Sequence, residues 1–459
     1  MTIFTRIGNK IAHWSERWFP DAFIFALLAT VLTFAGGLAL GSSGADLARY
    51  FGEGFWSMIP FTMQMVMIIV GGYVVASSPL VYRLICRLAD VPRTARGAVA
   101  FVALISTSTS LISYGFSLVF AGFLAREIAR RLTDVDYRAL GAAAYLGLGS
   151  VWALGLSSSA ALLMATPSSL PPALLKISGV IPLRETIYTW QSLLMAAVLL
   201  IASVAVAYLF APTGNSIRSA TSLGVTLEPM VKPLEPRKTP GEWLEYSPGL
   251  TILICLIGFA YLGQTVAAKG PLAALDLNTY NLLFLMFGLL LHWQPRSFTR
   301  AIAASVPATS GVLIQFPFYA GILGMISLSP ISKTLANFFV HAASHDAYPL
   351  FISIYSATLG LFVPSGGGKW LIEAPYVLSA ANDLKVNLGW MVQVYNTAEA
   401  LPNLINPFWM LPLLGILKLK ARELVGFGLL QLAVLAPVAL FLMWLLSHSF
   451  AYLSPVMPP

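Results

Sequence analysis

Three ionisable side chains lie in sequence that is otherwise suited to a membrane interior. Lys369 follows three glycines in V-P-S-G-G-G-K-W, and Glu373 comes four residues later. Glu399 lies in the polar run Y-N-T-A-E-A-L-P-N-L-I-N-P-F-W, which starts at Tyr395. Charged groups are costly at membrane depth and mark binding or coupling sites. An ammonium beside glycine backbone and the start of a half-helix could bind a carboxylate.

The pattern leaves the individual roles of these groups open. Lys369 could contact a substrate, pair with Glu373 within one helix, or extend outward to water. Glu399 could bind a coupling cation, carry a proton, or neutralise Lys369. Asn403 shares a face with Glu399 if the helix persists between them. The predicted ion-coupling residues are Glu399, Asn396, Thr397 and Asn406.

Two clusters of hydroxyl groups lie in the first half of the chain. They are S-T-S-T-S-L-I-S-Y-G-F-S at 106–117 and W-A-L-G-L-S-S-S-A-A at 152–161. Serine also packs between membrane helices by bonding its own backbone, so the clustering at chain breaks is what indicates a site. The predicted substrate-binding residues are Ser113, Tyr114, Gly115, Ser117, Ser157, Ser158, Ser159, Ser365, Gly366, Gly367, Gly368, Lys369 and Asn403.

The composition indicates that membrane-spanning helices position these residues. The chain has 459 residues, of which 58% are apolar and 10% charged, and its mean hydropathy is +0.78. Repeated apolar runs reach the roughly 20 residues that a helical span needs. The net charge of +8 comes from Lys and Arg dispersed between these runs, which favours topology signals over nucleic-acid binding. The sequence therefore predicts an all-α polytopic membrane protein.

Two inverted repeats are predicted, each with a re-entrant helical hairpin and a broken transmembrane helix. The predicted segments are an interfacial N-terminal helix at 1–20, a first repeat at 21–211, a cytoplasmic linker at 212–247, an extra helix plus the second repeat at 248–447, and a C-terminal tail at 448–459. The hairpins are predicted at 97–130 and 348–381, and the broken helices at 139–170 and 387–416. Such breaks survive in lipid where protein or a water-filled cavity satisfies the freed backbone.

Charge placement and an internal repeat support this map. With a cytoplasmic N-terminus and two hairpins that return to the side they entered, 20 of the 27 Lys and Arg residues fall inside and six outside. A shift of 251 residues places the Ser78-Pro79 pair on Ser329-Pro330 and Gly115 on Gly366. Five crossings between the copies would invert the second, which is typical of secondary transporters with a site near the bilayer midplane.

Several other functions lack the motifs they require. Cys86 and Cys255 are isolated from each other, and the five histidines show no metal-ligand pattern. The G-G-G-K run is not a P-loop, and no nucleophile and base are suitably spaced for an intramembrane enzyme. We therefore expect neither an enzyme nor a cofactor. The coupling ion expected for a secondary transporter is Na⁺ or H⁺.

Motifs along nearly the whole chain carry a family resemblance. They include V-P-S-G-G-G-K-W with E-A-P after it, W-F-P-D-A-F-I-F-A, A-R-E-I-A-R-R, Q-F-P-F-Y-A-G-I and N-P-F-W-M-L-P. Together they resemble the bacterial short-chain fatty acid transporter family, whose members are thought to carry acetoacetate, butyrate and similar carboxylates across the inner membrane. The family is similar to the ion transporter superfamily, in which a mobile transport domain moves beside a dimerising scaffold.

The resemblance implies an elevator-type secondary carrier. Its expected partners are the bilayer, a short-chain carboxylate and a second copy of the chain, and not nucleic acid. Two departures from the family leave substrate and coupling ion open. Lys369 stands where relatives more often have Gln or His, and Leu154, Ser158 and Ala161 depart from the pattern of the first broken helix. A cation/proton antiporter, or a carrier of another small organic acid, is the alternative.

Overall fold

The computed structural model describes residues 22–229, 234–361, 363, 365–406 and 409–455, and its regular elements are helices. The predicted interfacial helix at 1–20 lies outside the described residues. Six helical segments in the described part are long and apolar enough to cross a bilayer: Ile59–Ala76, Tyr137–Ala165, Trp190–Leu209, Gly249–Lys269, Pro295–Leu328 and Ala421–Ser447. This architecture is that of a multi-pass membrane protein.

The first half of the chain supplies ten of the described α-helices. They are α1 (Ala22–Ala39), α2 (Gly44–Ser57), α3 (Ile59–Ala76), α4 (Pro79–Leu88), α5 (Ala95–Ser110), α6 (Tyr114–Arg131), α7 (Tyr137–Leu146), α8 (Ser159–Ala165), α9 (Pro172–Ser178) and α10 (Trp190–Leu209). A π-helical turn, Gly147–Val151, and a 3-10 turn, Trp152–Leu154, lie between α7 and α8.

The second half supplies eleven more. They are α11 (Glu242–Tyr246), α12 (Gly249–Lys269), α13 (Leu277–His292), α14 (Pro295–Ser305), α15 (Ser310–Leu328), α16 (Ile331–Ala342), α17 (Tyr348–Gly360), α18 (Gly366–Asp383), α19 (Leu388–Asn403), α20 (Leu411–Leu417) and α21 (Ala421–Ser447). The segment between α10 and α12, which contains the predicted linker, has only short helical turns among its described residues.

Helices of the predicted hairpins and broken spans form the interior of the molecule. Arms α5 and α6 pack on each other, and α6 also packs on α3. Arm α17 packs on α19, and α18 packs on α15 and α16. Every residue of α19 is buried, whereas only Thr251, Cys255 and Leu262 are buried in the peripheral helix α12. Polar side chains of the hairpins therefore contact protein.

Both hairpin turns use a serine to start the second arm. In the first hairpin, Ser113 Oγ accepts a hydrogen bond from the Phe116 N–H at 3.3 Å, and α6 begins at Tyr114. In the second, Ser365 Oγ accepts from the Gly368 N–H at 3.2 Å. Each hydroxyl satisfies one of the amides that a helix N-terminus leaves without an intrahelical partner.

The two broken spans interrupt their helices in different ways. After α7 the chain passes through the π and 3-10 turns before α8 begins, and π turns often occur at functional sites. A Cβ at Gly155, in this break, would overlap the carbonyl oxygen of Leu111 in the first hairpin turn. Glycine thus lets the break pack directly on that turn. In the second half, α19 ends at Asn403, just after Pro402, and α20 begins at Leu411.

Candidate functional site

The ammonium of Lys369 lies at the centre of a buried ion cluster. Its Nζ donates to the Ser356 carbonyl oxygen at 2.6 Å and to Ser356 Oγ at 2.9 Å. It also lies 2.7 Å from Glu399 Oε2 and 3.3 Å from Glu373 Oε1. The side chains of Lys369 and Glu373 are 0% exposed and that of Glu399 is 1% exposed. Lys369 therefore pairs inward and does not extend to water.

Three helices build this cluster. Lys369 and Glu373 are one turn apart on α18, so they share one of its faces. Glu399 comes from α19 and Ser356 from the hairpin arm α17. Arm α17 packs closely against α19, which brings the serine and both carboxyl groups to one point.

Tyr395 connects the ion cluster to the turn of the second hairpin. The aromatic ring lies 4.8 Å from Lys369 Nζ, a cation–π distance, and packs against Trp370. Its hydroxyl donates to the carbonyl oxygen of Gly366 at 2.6 Å. Because Tyr395 contacts both the hairpin turn and Lys369 Nζ, a displacement of the turn would also move the ring that packs on the ammonium.

The break in the second hairpin precedes the glycines, whereas the sequence places the glycines at its centre. Gly366, Gly367 and Gly368 form the first turn of α18, and the non-helical turn comes before them. The cap from Ser365 explains this difference, because it starts the helix as soon as the chain reverses. The glycines therefore present helical backbone amides, two of which lack an intrahelical partner after the cap is made.

Aromatic rings pack directly on these glycines. A Cβ at Gly366 would overlap the indole ring of Trp152, and a Cβ at Gly368 would overlap the ring of Tyr319. A Cβ at Gly367 would approach the Phe61 ring to 3.0 Å. The glycine run thus admits three rings against the start of α18 and excludes any side chain there.

Among the predicted residues of the first hairpin, the two serines bond to backbone groups, and Tyr114 and Gly115 pack against other elements. Ser113 caps α6, and Ser117 Oγ donates to the Ser106 carbonyl oxygen at 2.8 Å, which holds the two arms together. The Tyr114 ring lies edge-on to Trp152 with a centroid distance of 5.5 Å. Gly115 lies against α3, where a Cβ would come 3.2 Å from the carbonyl oxygen of Ile68.

The three consecutive serines of the first broken span are all buried. Ser157 Oγ donates to the carbonyl oxygen of Ser110, at the end of the first hairpin arm. Ser158 caps α8. Ser159 Cβ lies 3.3 Å from the position that a Cβ of Gly367 would occupy, so this serine faces the second hairpin. Two of the three therefore bond to backbone groups, and the third faces the glycine run.

Trp152 contacts the start of the second arm of both hairpins. Its ring contacts Gly366 at the start of α18 and Tyr114 at the start of α6. Tyr114 also lies 6.1 Å, centroid to centroid, from Trp409, in the break of the second half. The first residues of two 18-residue helices, Tyr114 of α6 and Gly366 of α18, therefore contact one indole ring. We call the arrangement of Tyr114, Trp152 and Gly366 the tip site.

The predicted polar residues of α19 and of the break after it differ in whether their side chains are hydrogen-bonded. Asn396 Nδ2 donates to Gln393 Oε1 at 2.7 Å, and Thr397 Oγ1 donates to the Gln393 carbonyl oxygen at 2.9 Å. Asn406 Nδ2 donates to the Leu361 carbonyl oxygen at 3.1 Å, which ties the second break to the hairpin turn. Asn403 is fully buried, and its side-chain amide has no hydrogen-bond partner among the described residues. Of these four residues, only Asn403 presents a buried amide that other groups leave unused.

The structure places three residues in the site that the sequence did not assign to it. Ser356 supplies two of the oxygens around Lys369, Tyr395 contacts both the ammonium and Gly366, and Trp152 joins the hairpin turns. The spacing of Tyr395 and Glu399 was a usable signal, because residues four apart share a helical face. Ser356 lies in a run that also contains Ser353 and Thr358, and nothing in their spacing distinguishes Ser356. Within the described residues no group of three or more His, Cys, Asp or Glu side chains could hold a metal ion.

The fold is that of known membrane transporters. The crystal structure of the YdaH transporter of Alcanivorax borkumensis superposes with a TM-score of 0.63 at 14% identity, covering 95% of this chain and 100% of that one. The structure of MtrF from Neisseria gonorrhoeae, described as illuminating a class of antimetabolite efflux pumps, gives 0.60 at 14% identity over 98% of this chain and 100% of that one. At this identity the likeness concerns the fold alone.

The sequence comparisons define the family. A model of the family described as short chain fatty acid transporter matches residues 3–446. A relative in Haemophilus influenzae is 34% identical over 95% of this chain and 98% of its own length, and one in Escherichia coli K12 is 36% identical over 92% and 95%. Both relatives are provisionally named short-chain fatty acid transporters. The chain belongs to the short-chain fatty acid transporter family, as its motifs predicted.

Proposed function

We propose that the protein is a secondary active transporter that carries short-chain carboxylates, such as acetoacetate and butyrate, across the bacterial inner membrane. The tip site is the observation that supports this most strongly. The first residues of α6 and α18 contact one indole ring, and helix N-termini bind anions through free amides and a partial positive charge. Family membership agrees with the substrate class.

The chemistry of the tip site matches a short acid better than a larger one. A carboxylate would take the amides at the start of α18, and the Asn403 amide is a further candidate donor. The rings of Trp152 and Tyr114 would pack against the acyl chain. Both rings are buried, and the glycines of α18 are in contact with aromatic side chains, so only a small ligand would fit after a modest movement. We therefore expect affinity to fall as the acyl chain lengthens.

The elevator mechanism rests on the proposed inverted repeat. Helix pairs α2 and α14, α3 and α15, α6 and α18, and α7 and α19 begin 251, 251, 252 and 251 residues apart. Matched order and spacing over four elements support two copies of one unit, each with a hairpin and a broken helix. Paired discontinuous helices beside a midplane site are typical of carriers that work by alternating access. In this proposal the two hairpins and two broken helices move together, and the molecule is a homodimer with a cytoplasmic N-terminus.

A proton or sodium gradient drives transport in this proposal, and the ion cluster lies beside the tip site. The cation/proton antiporter is less well supported. Such an exchanger needs a carboxylate free to bind the transported cation, whereas Glu399 already lies 2.7 Å from Lys369 Nζ. The carboxylate carrier accounts for both the cluster and the two helix N-termini.

Uptake into proteoliposomes tests the proposal. Labelled acetoacetate and butyrate should accumulate when an inward proton or sodium gradient is imposed, and excess unlabelled substrate should compete. Because neutral short-chain acids diffuse through bilayers, rates are taken relative to protein-free liposomes with the same gradient. Absence of protein-dependent uptake, or uptake that no gradient accelerates, would overturn the proposal.

A further inference from the structure

We propose that the ammonium of Lys369 acts as a tethered cation in place of an alkali metal ion, and that the two carboxyl groups around it hold one exchangeable proton. Carboxylate transport would then be coupled to protons and indifferent to sodium. This inference rests on the proposed function and names the coupling ion of the same site.

The surroundings of the ammonium are those of a bound cation. Four oxygens surround Lys369 Nζ: a carbonyl and a hydroxyl oxygen of Ser356, and one carboxylate oxygen each of Glu373 and Glu399, at 2.6, 2.9, 3.3 and 2.7 Å. Carbonyl, hydroxyl and carboxylate oxygens are also the ligands that hard metal cations prefer. A second cation at this point would meet the ammonium at contact distance in a buried place, where like charges repel strongly.

The charges of the cluster do not balance without a proton. One ammonium faces two carboxyl groups, and the ion pairs of Glu373 and Glu399 among the described residues are both with Lys369. With all three groups ionised the cluster would carry a net charge of −1 at a site that water does not reach. Burying an uncompensated charge costs several kcal/mol, so one proton held between the two carboxyl groups is favoured.

The neighbouring titratable groups do not supply the missing charge. Those that face the cluster from the packed helices are phenols: Tyr319 of α15, Tyr348 and Tyr355 of α17, Tyr376 of α18 and Tyr395 of α19. A phenol is neutral at physiological pH, so it can orient a proton but cannot balance a carboxylate. The exchangeable proton is therefore a property of the pair formed by Glu373 and Glu399.

Tyr395 provides the link to the substrate. Its hydroxyl holds the Gly366 carbonyl oxygen, and its ring lies against the ammonium. A carboxylate at the start of α18 adds one negative charge next to this link, which favours protonation of the carboxyl pair. A substrate anion and one proton that bind together leave the net charge of the site the same as in the empty, deprotonated cluster, so the loaded site gains no net charge for its movement through the membrane.

Proteoliposome measurements with labelled acetoacetate separate the coupling ion from the transport activity. Two quantities are compared for the wild type, for Glu399→Gln and Glu373→Gln, and for Glu53→Gln as a control at an exposed carboxylate. They are gradient-free exchange against internal acetoacetate, and uptake driven by an inward proton gradient. We expect wild-type uptake to respond to the proton gradient and to stay the same when Na⁺ replaces K⁺. Glu399→Gln and Glu373→Gln should reduce the proton-driven component by about tenfold or more while retaining exchange.

A second readout does not depend on activity. In Lys369→Gln the oxygen cage loses its internal cation, so NaCl should raise the unfolding temperature of this variant in detergent, relative to choline chloride. The wild type and Lys385→Gln, which replaces an exposed lysine, should show no such rise. Should Lys369→Gln fail to fold, the wild-type sodium response and the Glu variants decide the question.

The outcomes distinguish the two proposals. Acetoacetate uptake that is driven by a sodium gradient, or that a proton gradient does not change, would overturn the inference while leaving carboxylate transport intact. Retained proton-driven uptake in both Glu variants would overturn it as well. A protein that shows no exchange of acetoacetate or butyrate at all would instead count against the proposed function.

Discussion

The two hairpins share a plan and differ in the charge that they carry near their turns. Each begins its second arm with a serine cap, and each packs that arm into the interior. The polar groups of the first hairpin at 106–117 are uncharged, and Ser117 and Ser113 satisfy backbone groups of the hairpin itself. The second hairpin carries Lys369 and Glu373, both fully buried, and reaches Glu399 of the neighbouring α19.

This difference separates two tasks that the site must perform. Both hairpins contribute the first residue of a helix to the tip site, so under the proposed function substrate binding would be shared between the halves of the molecule. The ion cluster belongs to the second half alone, because its three helices α17, α18 and α19 all lie there. We therefore expect substitutions in the second hairpin to affect coupling and stability, and equivalent substitutions in the first to affect mainly local packing.

Removal of the ammonium should have the largest effect on stability. Lys369→Met leaves two buried carboxyl groups without their cation, and breaking a buried ion pair typically costs about 3–5 kcal/mol. Thermal unfolding in detergent measures the loss, with Lys385→Met as the exposed control. Adding Glu399→Gln to Lys369→Met should recover part of the lost stability. Equal stability of Lys369→Met and wild type would show that the cluster is not ion-paired as described.

A methyl group at the hairpin glycines should have an intermediate effect that differs between the hairpins. Gly368→Ala forces a Cβ into the buried Tyr319 ring and should cost about 1–3 kcal/mol of unfolding free energy. Gly115→Ala approaches the Ile68 carbonyl oxygen only to 3.2 Å and should cost less. Gly263→Ala, on the open side of α12, is the control without steric contact. A larger loss in Gly115→Ala than in Gly368→Ala would contradict this packing.

Removal of one hydroxyl from each hairpin should have an effect on stability no larger than that of the glycine substitutions. Ser356→Ala removes a hydrogen bond to a charged donor, worth about 1.5–3 kcal/mol, and should also weaken proton coupling. Ser117→Ala removes a neutral bond between hairpin arms and should cost about 1 kcal/mol without a change in coupling. Unfolding and proton-driven uptake are measured together for the two variants. A coupling defect in Ser117→Ala alone would reverse the assignment of the two hairpins.

Much of this organisation follows from local sequence. The serines before Tyr114 and Gly366, and the apolar runs on either side, are short-range signals, and the helices begin where these signals occur. The i,i+4 spacing of Lys369 and Glu373 likewise predicts that they share a helical face. In the second hairpin the break lies before the glycine run and not within it. The glycines indicate a break at their own position, whereas the cap from Ser365 starts α18 at the first of them.

The contacts between elements could not be obtained in this way. Trp152 lies 214 residues before Gly366, and Ser356 lies 43 residues before Glu399. The local sequence around each pair does not predict that its two residues are in contact, because that contact depends on how α17, α18 and the first broken span pack. The sequence left three roles open for Glu399, and its position 2.7 Å from Lys369 Nζ is a contact that local spacing does not predict.

Direct binding of butyrate and of its neutral isostere butyramide to the purified protein tests the central claim, that two helix N-termini form an anion site. Calorimetry should detect butyrate binding and find butyramide weaker by about tenfold or more, because only the carboxylate gains from the helix N-termini. Equal binding of the two ligands, or no binding of butyrate, would contradict the claim.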